Sequence, residues 1–262
     1  MIKMKIQTLF LPITFFFVST IVAQGPPITT DKPIMLGGGS YIVKTLTEIR
    51  NTNEGTFVYM PMMLHYLPTS NSLVAVHIPY VNYHFKNGFG TSGSTFGDLN
   101  ILGKYQFYRK DNRGKTFRIV AKTLQILPTG KELNIEGMST NKYQSYFGVV
   151  AGFESLKYGI SNEIGYNIVA NGNFDEFRYK FGVGLPLLKP TYPVNQLNLY
   201  FEYSNLYKPQ VEEYSLLFAQ GIQYAKKQFT WEMAVQIPLI QNNIAEVRKI
   251  NYSIFLGTRY IF

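Results

Sequence analysis

The sequence predicts an all-β fold, a transmembrane antiparallel up-and-down β-barrel of about 12 strands. Three observations predict it: an N-terminus typical of exported proteins, repeated segments in which apolar and polar residues alternate, and a final strand that ends on an aromatic residue. The composition agrees, because 20 Tyr, 20 Phe and 22 Gly among 262 residues favour strands over helices.

The composition also excludes several classes of protein. A hydrophobic content of 46% with 16% charged residues rules out an intrinsically disordered chain. Cysteine is absent, which excludes disulfides, a thiol nucleophile, Cys-ligated zinc and a lipid anchor on cysteine. The net charge of +9 would suit nucleic acid, but the basic residues are scattered over strands and turns, so no nucleic-acid partner is predicted.

The first segment has the pattern of a secretory signal peptide. Lys3 and Lys5 precede the uncharged run 6–22, and Ala23 supplies a small residue for cleavage. We therefore predict that residues 1–23 are a cleaved signal peptide. The alternative is a retained membrane helix, for which this run is barely long enough and is interrupted by Pro12.

The remaining chain is predicted as a periplasmic N-terminal segment, 24–38, followed by an outer-membrane β-barrel, 39–262. After the signal, no stretch approaches the roughly 18 continuous apolar residues of a spanning helix, so membrane insertion would have to use strands.

Alternation is clearest in 98–108, 177–187, 197–205 and 229–239, where each segment has one apolar and one polar face. A secreted soluble β-sandwich would share this pattern. The barrel is favoured because the apolar faces are bulky along nearly the whole segment and aromatic residues recur near segment ends, as membrane interfaces require.

Connection lengths support the same architecture. Gaps averaging about 9 residues alternate with gaps averaging about 6, as expected for external loops and periplasmic turns. The longer gaps are 50–56, 86–96, 129–142, 170–176, 207–213 and 241–249, and the shorter ones are 68–72, 109–115, 155–157, 188–196 and 225–228.

The chain end predicts how the barrel is assembled. Gly257, Tyr260 and the terminal Phe262 resemble the signal that barrel-assembly machinery reads by adding a strand to its own edge, although Phe255 stands where a polar residue is preferred. We therefore predict the cell outer membrane as the location, with both termini in the periplasm. The predicted partners are that machinery, outer-membrane lipid and lipopolysaccharide.

Two prolines are an objection to continuous strands. If a hairpin turns at 68–72, Pro61 lies opposite Pro79, and both missing N–H donors fall at one level of the wall. The sequence therefore predicts a bulge, or a break in the ladders to the outer neighbours, at this level.

With the apolar face outward, several charged side chains are predicted to line the lumen. Glu163, Arg178, Lys180 and Glu202 fall on three consecutive strands and are placed to form cross-strand ion pairs that close part of the lumen. The predicted lumen-lining residues are Lys104, Arg118, Lys122, Glu163, Arg178, Lys180, Glu202 and Glu232, with Lys44, Asp98 and Arg259 on the same inner face.

A second interpretation concerns three of these residues. Lys104, Arg118 and Lys122 lie on adjacent strands with only Asp98 nearby, so they are placed to form a basic strip that attracts anionic or phenolate-like solutes.

The sequence gives little support for a catalytic site or a metal site. His65 and His77 share the inner face of one hairpin, roughly diagonal to each other, and could serve as a metal or proton-sensing pair, but no third Cys or His accompanies them. His84 lies beside a loop, and the nearest serines, Ser92 and Ser94, are in that loop. We predict no enzyme, no metal and no cofactor.

Three short motifs resemble a known family. They are Thr30-Asp31-Lys32-Pro33, the run 97–105 (GDLNILGKY), and the run 127–131 (LPTGK). They are similar to the outer-membrane transporter family of the MetA pathway of phenol degradation, which usually has Arg where Lys32 stands. The resemblance implies an outer-membrane barrel with a transport role, without fixing a solute.

Together these observations predict a passive channel for a small hydrophobic or aromatic solute. It would diffuse past fixed polar side chains, in a lumen narrowed by the loops 86–96 and 129–142. The alternative is a structural or binding barrel whose lumen is plugged and does not conduct.

Overall fold

The computed structural model describes residues 27–33, 35–86, 88–133, 137–170, 175–189 and 194–262. The predicted signal peptide, 1–23, lies outside the described residues. Within these ranges, no helix is long and apolar enough to span a membrane.

In the described part of the chain, thirteen strands make one antiparallel sheet that closes on itself, and a short 3-10 helix spans Glu246–Arg248. The strands are β1 (Tyr41–Thr52), β2 (Gly55–Thr69), β3 (Ser72–Phe85), β4 (Gly93–Phe96), β5 (Leu99–Asn112), β6 (Lys115–Leu127), β7 (Gln144–Ser155), β8 (Gly159–Val169), β9 (Glu176–Pro186), β10 (Asn195–Lys208), β11 (Glu213–Lys226), β12 (Phe229–Asn242) and β13 (Ile250–Ile261).

Twelve of these strands form the wall of a closed barrel, which confirms the predicted fold. Each pairs with its neighbours in the chain, and the barrel closes where β1 pairs with β13 from Ile42↔Ile261 to Thr52↔Ile250. The thirteenth strand, β4, lies in the connection between β3 and β5 and pairs only with β3.

The apolar face of the strands points outward. In β12, Met233 and Val235 are 49% and 46% exposed, whereas the alternate residues Glu232 and Ala234 are buried. Successive side chains of a strand point to opposite faces, so the period-2 pattern places large apolar residues outside and polar ones in the lumen. This is the surface of a barrel that spans the outer membrane.

The two ends of the barrel differ in their connections. We call the end that holds the start of β1 and the end of β13 the turn end. Its hairpins are short except for the β9–β10 connection, 187–194, and β11 and β12 are joined by only Lys227 and Gln228. The opposite, loop end carries the longer connections, as predicted. The first loop is an exception, because β1 and β2 extend until only Asn53 and Glu54 remain between them.

The predicted defect at the two prolines is confirmed. Pro61 lies directly opposite Pro79 in the β2–β3 ladder. On one side the β1–β2 pairing is interrupted between Thr45↔Met62 and Glu48↔Tyr59, and on the other β3 pairs with β5 only as far as His77↔Asn100. Proline cannot donate to a ladder, so both outer neighbours lose hydrogen bonds at this level.

The N-terminal segment differs from the prediction. We expected 24–38 to be a periplasmic segment ahead of the barrel, but the described residues 27–33, with Met35 and Leu36, pack on the inner face of the wall. Ile28 and Thr30 are buried there, and Met35 joins an apolar cluster with Leu67 and Val150. The segment therefore fills part of the lumen.

Candidate functional site in the barrel lumen

Glu202 of β10 holds the start of the N-terminal segment. Its carboxylate accepts the backbone N–H groups of Ile28 at 2.8 Å, Thr29 at 2.8 Å and Thr30, and also the Thr29 hydroxyl at 2.7 Å. Glu202 is fully buried, and hydrogen bonds to a charged acceptor are the strongest kind available to a backbone amide. This contact fixes three successive residues against the wall.

Asp31 pairs with two lysines of the predicted basic strip. Its carboxylate contacts the Lys104 ammonium and lies 2.9 Å from that of Lys122, which in turn lies 2.7 Å from Glu163. The Tyr146 hydroxyl donates to the same Glu163 oxygen at 2.8 Å. Burial alone would raise the pKa of Asp31, but the two ammonium groups hold it well below its usual range.

The next residues of the segment are held as well. Lys32 forms an ion pair with Glu154 of β7, and Arg118 of β6 donates to the carbonyl oxygen of Met35 at 3.5 Å. Pro33 packs over Gly152, where a Cβ atom would approach the proline ring to 2.8 Å. The absence of a side chain at this position makes room for the segment.

The basic strip therefore has a different counter-ion from the one predicted. Asp98 does not neutralise it, because the Asp98 carboxylate accepts the backbone N–H groups of Gly130, Thr140 and Asn141 at 2.8 to 3.0 Å. Asp98 thus anchors the long loop between β6 and β7. Asp31 from the N-terminal segment compensates the two lysines of the strip, together with Glu163 at Lys122.

The predicted ion pairs among β8, β9 and β10 also take other partners. Arg178 pairs with Glu176 two residues away, and Lys180 donates to the carbonyl oxygen of Thr29 at 3.0 Å. The register does place Glu163 opposite Lys180, but Glu163 bonds to Lys122. The prediction was incomplete because the N-terminal segment was not expected inside the barrel and offers competing partners.

Glu232 lies in a polar row on the β11 to β1 side of the lumen. It accepts a hydrogen bond from Gln223 at 2.8 Å and pairs with Lys44 at 3.0 Å, reaching across Gly257 of β13. A Cβ atom at Gly257 would meet the Glu232 side chain at 2.6 Å. Gly257 is predicted to be part of the assembly signal, and the packing of Glu232 also requires a residue without a side chain at this position. Arg259 donates to Thr230 at 3.3 Å.

A cavity of about 410 Å³ occupies the loop half of the lumen, above the N-terminal segment. Ile28 and Thr29 form part of its lining. Aromatic and aliphatic side chains contribute much of the rest, namely Leu46, Phe57, Tyr59, Met63, Leu206, Leu217, Ile250 and Phe255. Several charged residues on the lining have partners, such as Glu48 with Arg50 at 2.8 Å and Lys208 with Glu213 at 3.2 Å. The cavity thus combines an apolar wall with charges that already have partners.

His65 and His77 meet as predicted on one inner face. Their rings are stacked with centroids 5.4 Å apart, and the Nε2 atoms of both are buried without a hydrogen-bond partner. Among the described residues, no three His, Cys, Asp or Glu side chains converge on a possible metal position. The ammonium groups of Lys44, Lys104 and Lys122 and the carboxylate of Asp31 act on the pair, and the excess of positive charge disfavours a bound cation.

His84 and Ser92 form a contact that the sequence analysis did not predict. The Ser92 hydroxyl lies 3.1 Å from His84 Nδ1 and accepts the backbone N–H of Phe85. The contact is exposed and ties the loop after β3 to the end of that strand.

Asp31 and the Glu202 anchor are the features that sequence reasoning missed. The sequence shows Asp31 only as part of the Thr30-Asp31-Lys32-Pro33 motif and indicates no role for it. A signal for the segment is present in the sequence as glycines on the inner faces of three strands. Their missing side chains leave space for the segment, with Gly152 facing Pro33, Gly182 facing Thr30 and Gly221 facing Ile28.

Comparison with solved structures gives the same fold. An outer-membrane channel from Pseudomonas putida F1 is 12% identical, with a TM-score of 0.64, and the match covers 90% of this chain and 100% of that one. The KdgM porin is 8% identical with a TM-score of 0.53, covering 84% and 99%. The β domain of the Bordetella autotransporter BrkA is 13% identical with a TM-score of 0.53, covering 86% and 100%.

A search of curated proteins finds no match. One family model matches residues 37–208, which is more than half of the chain, and it includes two of the three motifs noted in the sequence. The family is described as "Putative MetA-pathway of phenol degradation". This chain is a member of that family.

Proposed function

We propose that this barrel is a passive channel for small hydrophobic or aromatic solutes, which enter the cavity at the loop end and leave at the turn end. The observation that carries the proposal is the cavity itself. Its volume of about 410 Å³ exceeds the roughly 150 Å³ in which an apolar cavity can hold benzene.

The chemistry of the lining supports this solute class. Phe57, Tyr59, Leu217 and Phe255 offer aromatic and aliphatic surface, which favours apolar solutes by removing them from water. A strongly charged solute would have to compete with the existing pairs, such as that between Glu48 and Arg50. Binding of an apolar solute needs no such exchange.

A specific observation favours a second candidate, a barrel that does not conduct. The N-terminal segment is attached to the wall through Glu202, Asp31 and Lys32. If these contacts never open, the lumen stays closed below the cavity. The two candidates therefore differ in whether the segment moves.

An engineered disulfide between the N-terminal segment and the wall distinguishes the conducting from the non-conducting barrel. The chain has no cysteine, and a Cβ atom at Gly182 would lie 3.5 Å from that of Thr30, within the range of a disulfide. Uptake of a small phenol into liposomes would be compared for wild type, for T30C/G182C oxidised and reduced, and for the single variant T30C as a control.

The proposal predicts uptake by wild type and T30C, no uptake by the oxidised double variant, and recovery on reduction. Failure of wild type to take up any solute would support the non-conducting barrel. Equal uptake by the oxidised and reduced forms would show that solutes pass without movement of the segment at this position.

A further inference from the structure

Basic residues are concentrated at the turn end of the barrel. Two acidic residues lie in the hairpins there: the exposed Asp111, which pairs with Arg109, and Glu154, which pairs with Lys32 in the lumen. The other basic residues of these hairpins are all exposed, and we call them the basic collar: Lys110, Arg113, Lys115, Lys157, Lys189, Lys226 and Lys227.

The loop end has no such excess. Its connections contain the basic residues Lys86, Lys131, Lys142, Arg248 and Lys249 and the acidic residues Glu54, Asp98, Glu132, Glu136, Asp175, Glu212 and Glu246. Positive charge is therefore distributed unequally between the two ends, and the excess lies at the end where both described termini of the barrel wall meet.

The collar lies directly beside outward-facing aromatic residues. Lys226 is paired in register with Phe229, which stacks on Trp231 at a centroid distance of 5.4 Å, and both rings are 45% exposed. On the β5–β6 hairpin, Tyr108 and Phe117 adjoin the collar in the same way. Aromatic side chains of this kind mark the boundary between hydrocarbon and headgroups.

A strand rises about 3.4 Å per residue, so the collar begins within one or two residues of that boundary. This is the depth of lipid headgroups. A polymer further from the membrane, such as peptidoglycan, would not require the charges to adjoin the aromatic residues.

We propose that the basic collar binds the anionic headgroups of phospholipids in the leaflet at the turn end. The occupant follows from the charge, the exposure of the side chains and their position next to the aromatic residues. With the termini in the periplasm, as the sequence predicts, this is the inner leaflet of the outer membrane. The inference is independent of whether the barrel conducts.

The chain contains a built-in reporter, because Trp231 is its single tryptophan and lies beside Lys226 and Lys227. The folded barrel is reconstituted in phosphatidylcholine vesicles that contain brominated phosphatidylglycerol or, at equal mole fraction, brominated phosphatidylcholine. Bromine quenches the tryptophan fluorescence of a protein only from neighbouring lipids, so the ratio of quenching gives the relative occupancy.

The expected preference for phosphatidylglycerol around Trp231 is about fivefold, the equivalent of about 1 kcal/mol for a basic residue near an anionic surface. K226Q/K227Q should abolish it, and K142Q/K249Q, the same charge change at the loop end, should not. Added salt should weaken the preference in the unmodified protein, which tests the electrostatic origin without any substitution.

Equal quenching by both brominated lipids in the unmodified barrel would overturn the proposal. So would a preference that neither salt nor K226Q/K227Q changes, with folding of the variant checked by heat-dependent migration on a gel. Equal quenching together with lysine-dependent binding to purified peptidoglycan would assign the collar to that polymer instead.

Discussion

Asp31 forms a charged group in the lumen with Lys104 and Lys122. The two lysines belong to strands of the wall, whereas Asp31 belongs to the N-terminal segment. The electrostatics of the barrel interior therefore depend on a residue that precedes the first strand. Because Lys104 and Lys122 share this partner, its loss would leave both ammonium groups less compensated.

We expect D31N to increase anion selectivity, because the positive potential of Lys104 and Lys122 would then reach the solute path. The measurement is the ratio of anion to cation permeability in planar bilayers. Glu132→Gln, the same loss of charge in an exposed loop, serves as control. R118Q/K122Q should shift the ratio the other way, and an unaltered ratio in D31N would contradict the assignment of Asp31 as the counter-ion.

We expect E202Q to loosen the start of the N-terminal segment. Replacing the carboxylate weakens its hydrogen bonds to the amides of Ile28, Thr29 and Thr30, and a loss of about 2 kcal/mol corresponds to roughly 30-fold faster amide exchange. Hydrogen exchange of these residues provides the readout. Exposed Glu212→Gln is the matched control, and equal exchange in both variants would show that Glu202 is not the anchor.

The strands show which part of the fold can be predicted from sequence. Alternation is a local property, so segments such as 229–239 in β12 could be recognised without knowledge of their neighbours. The pairing of Pro61 with Pro79 was also predictable, because a hairpin fixes its own register. The partners of Glu163 and Lys180 were not, because the N-terminal segment that competes for them reaches these strands only in the folded barrel.

Packing of the segment on inward glycines leads to a prediction about β7. G152A would place a methyl group 2.8 Å from the rigid ring of Pro33, which costs about 1 to 3 kcal/mol or displaces the segment. We expect faster amide exchange in 27–33 and a lower unfolding midpoint. G103A is the control, because its nearest atom is a Thr123 methyl at 3.2 Å. Similar effects from both changes would argue against a specific fit.

The whole molecule is a closed wall with an internal segment, and its last strand serves two purposes. It closes the barrel against β1, and it carries the predicted assembly signal of Gly257, Tyr260 and Phe262. Structure gives Gly257 a packing role beneath Glu232, whereas Phe262 is 69% exposed and contacts Tyr260 at 4.5 Å between ring centroids. Substitutions should therefore be able to impair insertion of the barrel into the membrane without lowering the stability of the folded barrel.

We expect deletion of Phe262 to reduce the amount of barrel in the outer membrane of cells while leaving folding into detergent micelles unchanged. G257A should impair both, because the clash with Glu232 exists wherever the barrel folds. Cell fractionation and heat-dependent gel migration measure the two outcomes. Normal insertion of the deletion variant in cells would remove Phe262 from the assembly signal.

The paired prolines have a mechanical consequence for the cylinder as a whole. Around most of the circumference continuous hydrogen bonding between strands resists expansion. At the level of Pro61 and Pro79 it is interrupted toward β1, and toward β5 it is reduced to the bond from Gly97 N–H to the Pro79 carbonyl at 2.9 Å. Strain caused by heating, by thinning of the bilayer or by a solute too large for the lumen would concentrate at the level of these prolines. We therefore expect β1, β2, β3 and β5 to be the first strands to separate when the barrel unfolds.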